Sequence, residues 1–340
     1  MTGPLRIVSI GGGTGLSSLL NGLKKYTHDS KGGDPLVDIT AIVTVTDDGG
    51  SSGRLRREFD VLPPGDIRNC MVALCDDEAL LSRLFQYRFE SGHGLKGHSF
   101  GNLFLTAMTH IMGDFPDAVR KSSEVLNIAG RIFPSTAANV SIEAVLDDGR
   151  VVKGETRISR SRRRIRTVRM VPNRVKPVKD TLAAIAAADL ITLGPGSLFT
   201  SVIPNMLVTG IPEAIRRSKA LKAYFVNLMS QPGETTSFAA SDHISAICDH
   251  AGGRFLDYAI VSTSRVSPAL RRSYALQDSA PIENDFDAIA RLGLEVIEAD
   301  LLMKGPQVRH NPAAIARVAV DLAIQGQRMR RLAKIKSNAQ

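Results

Sequence analysis

Five short apolar runs recur along the chain, each closed by small or polar residues. They are "RIVSI" at residues 6–10, "DITAIVTVT" ending at Thr46, "LITL" ending at Leu193, "KAYFVNL" ending at Leu228 and "DYAIVST" ending at Thr263. Runs of this length, apolar at nearly every position, predict strands buried on both faces. Most lead into Gly, Asp, Ser or Pro and then into a helical pattern. That alternation predicts an α/β fold, a Rossmann-like and mostly parallel sheet. From Asp66 to Ile128 the period becomes helical, as in "DIRNCMVALC" and "DEALLSRLFQYRF", which predicts an inserted helical segment over about 66–128. Between Val140 and Val171 the pattern alternates instead. Asp148-Gly149 supplies a hairpin turn there, so an antiparallel hairpin over about 140–171 is expected beside the sheet. "NPAAIARVAVDLAIQGQ" predicts a last amphipathic helix, with Asn311 as N-cap and Pro312 at its first position. No boundary interrupts residues 1–326, read as one domain, and a basic tail follows over 327–340.

In parallel sheets ligands bind beyond the carboxyl ends of the strands, so the residues after each run carry the candidate chemistry. The first run enters "GGGTGLSS". Gly12, Gly13 and Gly15 would expose backbone N–H groups at a helix start, where anions bind, and Thr14 adds a hydroxyl. The dinucleotide fingerprint fails, because its third glycine would fall on Leu16 or Ser18. The phosphate-loop pattern fails because no Lys follows the glycines. The second run ends in "TDDGGSSGRLR". Asp47 and Asp48 stand where one carboxylate would face a ligand or a Mg²⁺ ion and its neighbour the scaffold. "PPGDIRN" and "GHSFGN" bring Asn69 and Asn102, as substrate contacts or as packing positions. "LGPGSLFTSVIPN" is a further helix start after a strand, with Gly194, Gly196, Ser197 and Asn205. Asn227 follows the fourth strand, and Arg309, before the final helix, suits a phosphate.

The 340 residues carry a formal net charge of +9, which fits an anionic ligand or partner without choosing one. The chain lacks Trp and only 5% of its residues are aromatic, which argues against nucleic acid. Arginines at 160, 162, 163, 164, 166 and 169 form the most basic stretch. Cys70, Cys75 and Cys248 have no framework or metal spacing and read as reduced thiols buried as small hydrophobes. No run approaches the roughly 20 apolar residues of a membrane span, and the first apolar run is too short for a signal peptide. A cytoplasmic protein is expected.

In order and separation, "IVSIGGGTGLSSLL", "VTVTDDGGSSGRLR", "PPGDIRNC", "GHSFGNL", "GPGSLFTSVIPN" and "QPGET" resemble the YvcK-type gluconeogenesis factors of the wider CofD superfamily. The resemblance implies a CofD-like fold and a regulator that binds a UDP-sugar, UDP-N-acetylglucosamine, rather than an enzyme. It also implies a role in gluconeogenic growth, wall-precursor supply and cell shape. A partner enzyme of wall-precursor or carbon metabolism and a homodimer follow from the same likeness. Thr14, Asn205 and Arg309 match positions that contact the UDP-sugar. Asp47 and Asp48 match the superfamily's acidic pair, which holds Mg²⁺ in its transferases. The competing expectation is accordingly a Mg²⁺-dependent transferase acting on a nucleoside-diphosphate-activated substrate.

Overall fold

The computed structural model describes residues 3–27, 36–75 and 80–338. Its ten strands are, in chain order, β1 (Leu5–Gly11), β2 (Val37–Val43), β3 (Arg131–Pro134), β4 (Ser141–Leu146), β5 (Val151–Lys153), β6 (Ile165–Val171), β7 (Leu190–Leu193), β8 (Leu221–Phe225), β9 (Tyr258–Ser262) and β10 (Glu295–Ala299). Seven of them form one parallel sheet in the order β10-β9-β8-β7-β1-β2-β3. All five apolar runs lie in it. Ile7, Ile10, Ile39 and Ile42 are fully buried, as expected for strands covered on both faces. Two edge strands, β3 and β10, were not among the predicted runs. β10 reads "EVIEA", with no buried residue, and so lacks the apolar signature.

The segment after β2 is helical as predicted, with helices Gly65–Leu74, Leu80–Gln86, Phe100–Met112 and Phe115–Val125. Residues 77–79, the start of the predicted "DEALLSRLFQYRF" helix, lie outside the described residues. The alternating region forms a small antiparallel sheet of its own, ordered β5-β4-β6. A short helix, Glu155–Arg160, joins β5 to β6 where a simple hairpin was expected. The final helix, Pro312–Asn338, begins where Asn311 Oδ1 accepts from Ala313 N–H at 3.0 Å, and it continues into the stretch read as a basic tail. The three cysteines are buried, as expected.

One topological feature positions the site. β1 pairs with β2 on one side and with β7 on the other. The chain leaves β1 toward β2 and returns much later as β7. The loops after β1 and β7 therefore diverge from adjacent strand ends, and a crevice opens between them at the point where strand order reverses.

Candidate functional site

The crevice is a cleft of about 380 Å³, within the range of small-molecule sites. Its floor is the turn Gly12–Gly15, opposed by Pro195, Gly196 and Ser197. Gly13 has φ +64°, a conformation glycine adopts without strain. Gly15 is required by contact: a Cβ there would stand 2.4 Å from the Pro195 carbonyl oxygen. The two turns are thus in backbone contact. The helix Gly13–Lys24 begins at Gly12 with no N-cap side-chain bond and no acidic residue in its own first turn; Gly13 N–H is taken from behind by Asp66, and the following residues Thr14 and Gly15 line the cleft.

The opposite wall comes from distant segments. Gln231 Nε2 donates to Ser197 Oγ at 2.8 Å, which joins the loop after β8 to the turn after β7. Asn227 stands at the carboxyl end of β8. Arg309 is exposed on the rim and, among the described residues, has no carboxylate partner. His310 beside it bonds the Val226 carbonyl at 3.3 Å, and burial pushes its pKa down to about 4, so it is a neutral wall at neutral pH. Tyr274, Gln277 and Ser279 complete the lining, and Tyr274 Oη accepts from Val308 N–H at 3.1 Å.

Eight of the residues expected from the sequence line this cleft: Gly12, Gly13, Thr14, Gly15, Gly196, Ser197, Asn227 and Arg309. The other six stand outside its lining. Gly194 lies behind the β7 turn, with φ +68°. Asn205 is fully buried; its Nδ2 donates to the Ser201 carbonyl at 2.8 Å and reaches Gly11 O at 3.3 Å, tying the helix after β7 to the end of β1. Asn102 is buried and donates to Ser51 Oγ at 3.1 Å, and Ser51 Oγ pairs with His98 Nδ1 at 2.9 Å. Asn69 accepts from Arg68 at 2.6 Å.

Asp47 and Asp48 diverge, as adjacent residues of an extended segment should. Asp48 Oδ1 accepts from Thr156 N–H at 2.8 Å and from Thr156 Oγ1–H at 2.6 Å, so it clasps the short helix Glu155–Arg160. Asp47 Oδ1 accepts from Gly49 N–H at 2.8 Å. Burial raises the Asp47 pKa, and hydrogen bonds from Gly49 and Ser52 offset part of the rise. Asp66 accepts from Gly13 N–H behind the Gly12–Gly15 turn. Burial, and then the Asp47 charge, push its pKa up to about 6. Glu155 is raised well above its ordinary value by burial and then by Asp47, Asp66, Glu234 and Asp48. Among the described residues no three His, Cys, Asp or Glu side chains converge as metal ligands. Of the expected pair, Asp48 Oδ1 is taken by Thr156 and Asp47 Oδ1 by Gly49.

A larger void, about 740 Å³, crosses the β1–β3 face between helices Phe115–Val125 and Lys179–Ala187. It holds none of the expected residues, and on its rim Arg131 Nη2 donates to both carboxylate oxygens of Asp38, at 2.9 and 2.7 Å. The expected residues therefore gather at the smaller cleft. Sequence reading missed Tyr274, Gln277 and Ser279. They come from helix Pro268–Ala275 and the residues after it, where no glycine turn marks them and the helix buries no residue.

Comparison with known proteins agrees with this architecture. The family profile described as 2-phospho-L-lactate transferase CofD matches residues 7–302. A gluconeogenesis factor of Bacillus subtilis is 45% identical over 318 residues, covering 93% of this chain and 98% of its own. One from Listeria monocytogenes is 41% identical over 312 residues, covering 92% and 93%. The crystal structure of a Bacillus halodurans protein superposes with a TM-score of 0.88 at 44% identity, covering 94% of this chain and 99% of that one. Among the described residues no single helix is long and apolar enough to cross a membrane. The chain belongs to the CofD family and, within it, to the gluconeogenesis factors.

Proposed function

We propose that the protein is a cytoplasmic regulator that binds a UDP-sugar, UDP-N-acetylglucosamine, in the cleft at the β1/β7 crevice. Its role would lie in gluconeogenic growth, wall-precursor supply and cell shape. The name of the relatives, gluconeogenesis factor, supports the first of these. The observation that carries the reading is that the start of helix Gly13–Lys24, at Thr14 and Gly15, lines one cleft with Arg309, which has no carboxylate partner among the described residues. Helix-start N–H groups beyond Gly13, together with a guanidinium, are a donor set for a diphosphate. A homodimer and a wall-precursor or carbon-metabolism enzyme as partner belong to the same reading.

A Mg²⁺-dependent transferase is the weaker alternative. Asp48 Oδ1 is taken by Thr156, and the Asp47 and Asp66 charges add to burial in raising the Glu155 pKa, so further negative charge is already disfavoured there. Titration calorimetry with UDP-N-acetylglucosamine tests the binding reading. Arg309→Ala removes a charge-assisted contact worth about 1.5–3 kcal/mol, so the affinity should fall roughly 10- to 150-fold. No heat and no thermal shift at millimolar ligand would sink the proposal.

A further inference from the structure

The arginine-rich stretch is not part of the cleft, yet it is fastened to Asp48 and to residues next to the cleft's lining. Thr156, at the start of helix Glu155–Arg160, is clasped by Asp48. At the other end of that helix, Ser159 Oγ donates to Glu234 at 3.1 Å. The Ser161 carbonyl then packs on Gly233 so closely that a Cβ there would stand 1.9 Å from its oxygen. Gln231 and Pro232, immediately before that glycine, line the cleft. Arg162 pairs with Asp278 at 3.2 Å, and Gln277 and Ser279 on either side of Asp278 also line the cleft. The helix before them, Pro268–Ala275, buries no residue, so little packing resists its displacement. The same arginine segment thus touches residues next to two walls of the cleft, the loop at Gln231–Pro232 and the stretch at Gln277–Ser279.

Its outer surface has a definite character. Arg157, Arg160, Arg166 and Arg174 are exposed, and no carboxylate pairs with them among the described residues. Between them stand acids: Arg163 pairs with Asp147 and Asp148, and Glu143 lies between Lys153 and Arg169. No aromatic residue occurs between Phe133 and Phe199. Nucleic acid needs a continuous positive track, and single strands need stacking rings as well. An anionic bilayer likewise rewards uninterrupted basic charge. Free guanidinium forks spaced by fixed acids suit a partner whose own charges are patterned, as protein surfaces are.

We infer that this surface, on helix Glu155–Arg160 and strand β6, docks a carboxylate-rich protein surface, and that ligand in the cleft alters its presentation. The coupling rests on the proposed UDP-sugar reading; the docking surface does not. The test uses the full chain and two variants of equal charge change. One is Arg157→Glu/Arg160→Glu/Arg166→Glu. The other is Lys219→Glu/Arg254→Glu/Arg291→Glu, exposed positions off the segment. Each is titrated in 150 mM salt with a labelled alternating Glu-Ser 16-residue peptide, a 20-base-pair DNA duplex and vesicles containing phosphatidylglycerol. The peptide should lose at least tenfold in affinity for the first variant and less than threefold for the second. UDP-N-acetylglucosamine should change the peptide affinity of the wild type at least threefold. Equal losses in both variants, no peptide binding, or a larger segment-dependent loss for DNA or vesicles would overturn the docking surface. A ligand that raises Tm while leaving peptide affinity unmoved would overturn the coupling alone. Absence of any ligand-induced Tm shift would instead count against the UDP-sugar reading.

Discussion

The backbone contact at Gly15 makes the sharpest prediction. In Gly15→Ala the new Cβ would lie 2.4 Å from Pro195 O, 2.6 Å from Pro195 C and 2.8 Å from Gly196 N. All three are backbone atoms, so no side chain can swing aside. The helix start or the β7 turn must move by about 1 Å to restore contact near 3.4 Å. Overpacking of this kind costs about 1–3 kcal/mol. Alanine's better helix propensity returns at most about 1 kcal/mol. A chain of 340 residues gains about 0.7 kcal/mol per kelvin of unfolding entropy at Tm, so the net loss lowers Tm by up to about 3 °C. The effect on the cleft should be larger than the effect on stability. The atoms that move are the N–H donors and the turn opposite, and hydrogen bonds weaken steeply with misalignment. Calorimetric affinity for UDP-N-acetylglucosamine should fall at least tenfold. Gly305→Ala is the control, since nothing lies within 4 Å of its Cβ position. Unchanged Tm together with unchanged affinity in Gly15→Ala would refute the two-turn cradle.

Three further outcomes follow from neighbouring residues. Asn205→Ala strips the Ser201 and Gly11 carbonyls of a buried donor, at about 1–3 kcal/mol. The ligand-free protein should therefore melt roughly 1–4 °C lower in scanning calorimetry; a weakened ligand with an unchanged Tm would instead make Asn205 a direct contact. Asp48→Ala should cost about 1.5–3 kcal/mol and speed tryptic cleavage between Arg157 and Arg166, while Asp48→Asn, which keeps an acceptor for Thr156, should do neither. Equal digestion of both variants would remove the clasp. His243 is fully buried and its pKa is pushed down to about 4 by burial, against weaker upward pulls from Asp242 and Asp285. Its neutral form therefore contributes stability that is complete above about pH 6.5 and lost as pH falls toward 4. In urea denaturation, the deficit of His243→Gln relative to wild type should shrink by about 2 kcal/mol between pH 7.5 and 5. A pH-independent deficit would mean that His243 does not resist protonation.

The fold was legible where one period ruled both faces of an element. The strands at Ile7, Ile39, Leu193, Phe225 and Ile260 needed burial on each side, and only a doubly covered parallel sheet provides it. β10 escaped notice because an edge strand needs no such pattern. Within the site, legibility followed conformational need. A turn that must take positive φ, or let two backbones touch, leaves glycines in the sequence; Gly13 and Gly15 were therefore visible. Tyr274 and Gln277 were not, because an exposed helix that leans over a cleft imposes no local requirement on its residues. Asp48 shows the same limit from the other side. Its position after a strand fits a metal ligand and a clasp equally well, and only the partner decides. That partner, Thr156, lies 108 residues away.

Parallel topology explains why these separations occur. Every strand of the main sheet delivers its carboxyl end to one edge, so residues scattered from Gly12 to Arg309 converge there with no sequence proximity. The same edge then accepts an insertion between β3 and β7 without disturbing the cradle. The insertion here is the small sheet β4–β6, and it is anchored at Asp48, Gly233, Glu234 and Asp278 rather than left free. A merely solubilising hairpin needs none of those contacts, and two of them would be strained or unpaired by ordinary substitutions. Gly233→Ala would drive a Cβ into the Ser161 carbonyl at a residue whose φ is already +77°, and so should loosen the arginine segment while leaving the Gly12–Gly15 turn in place.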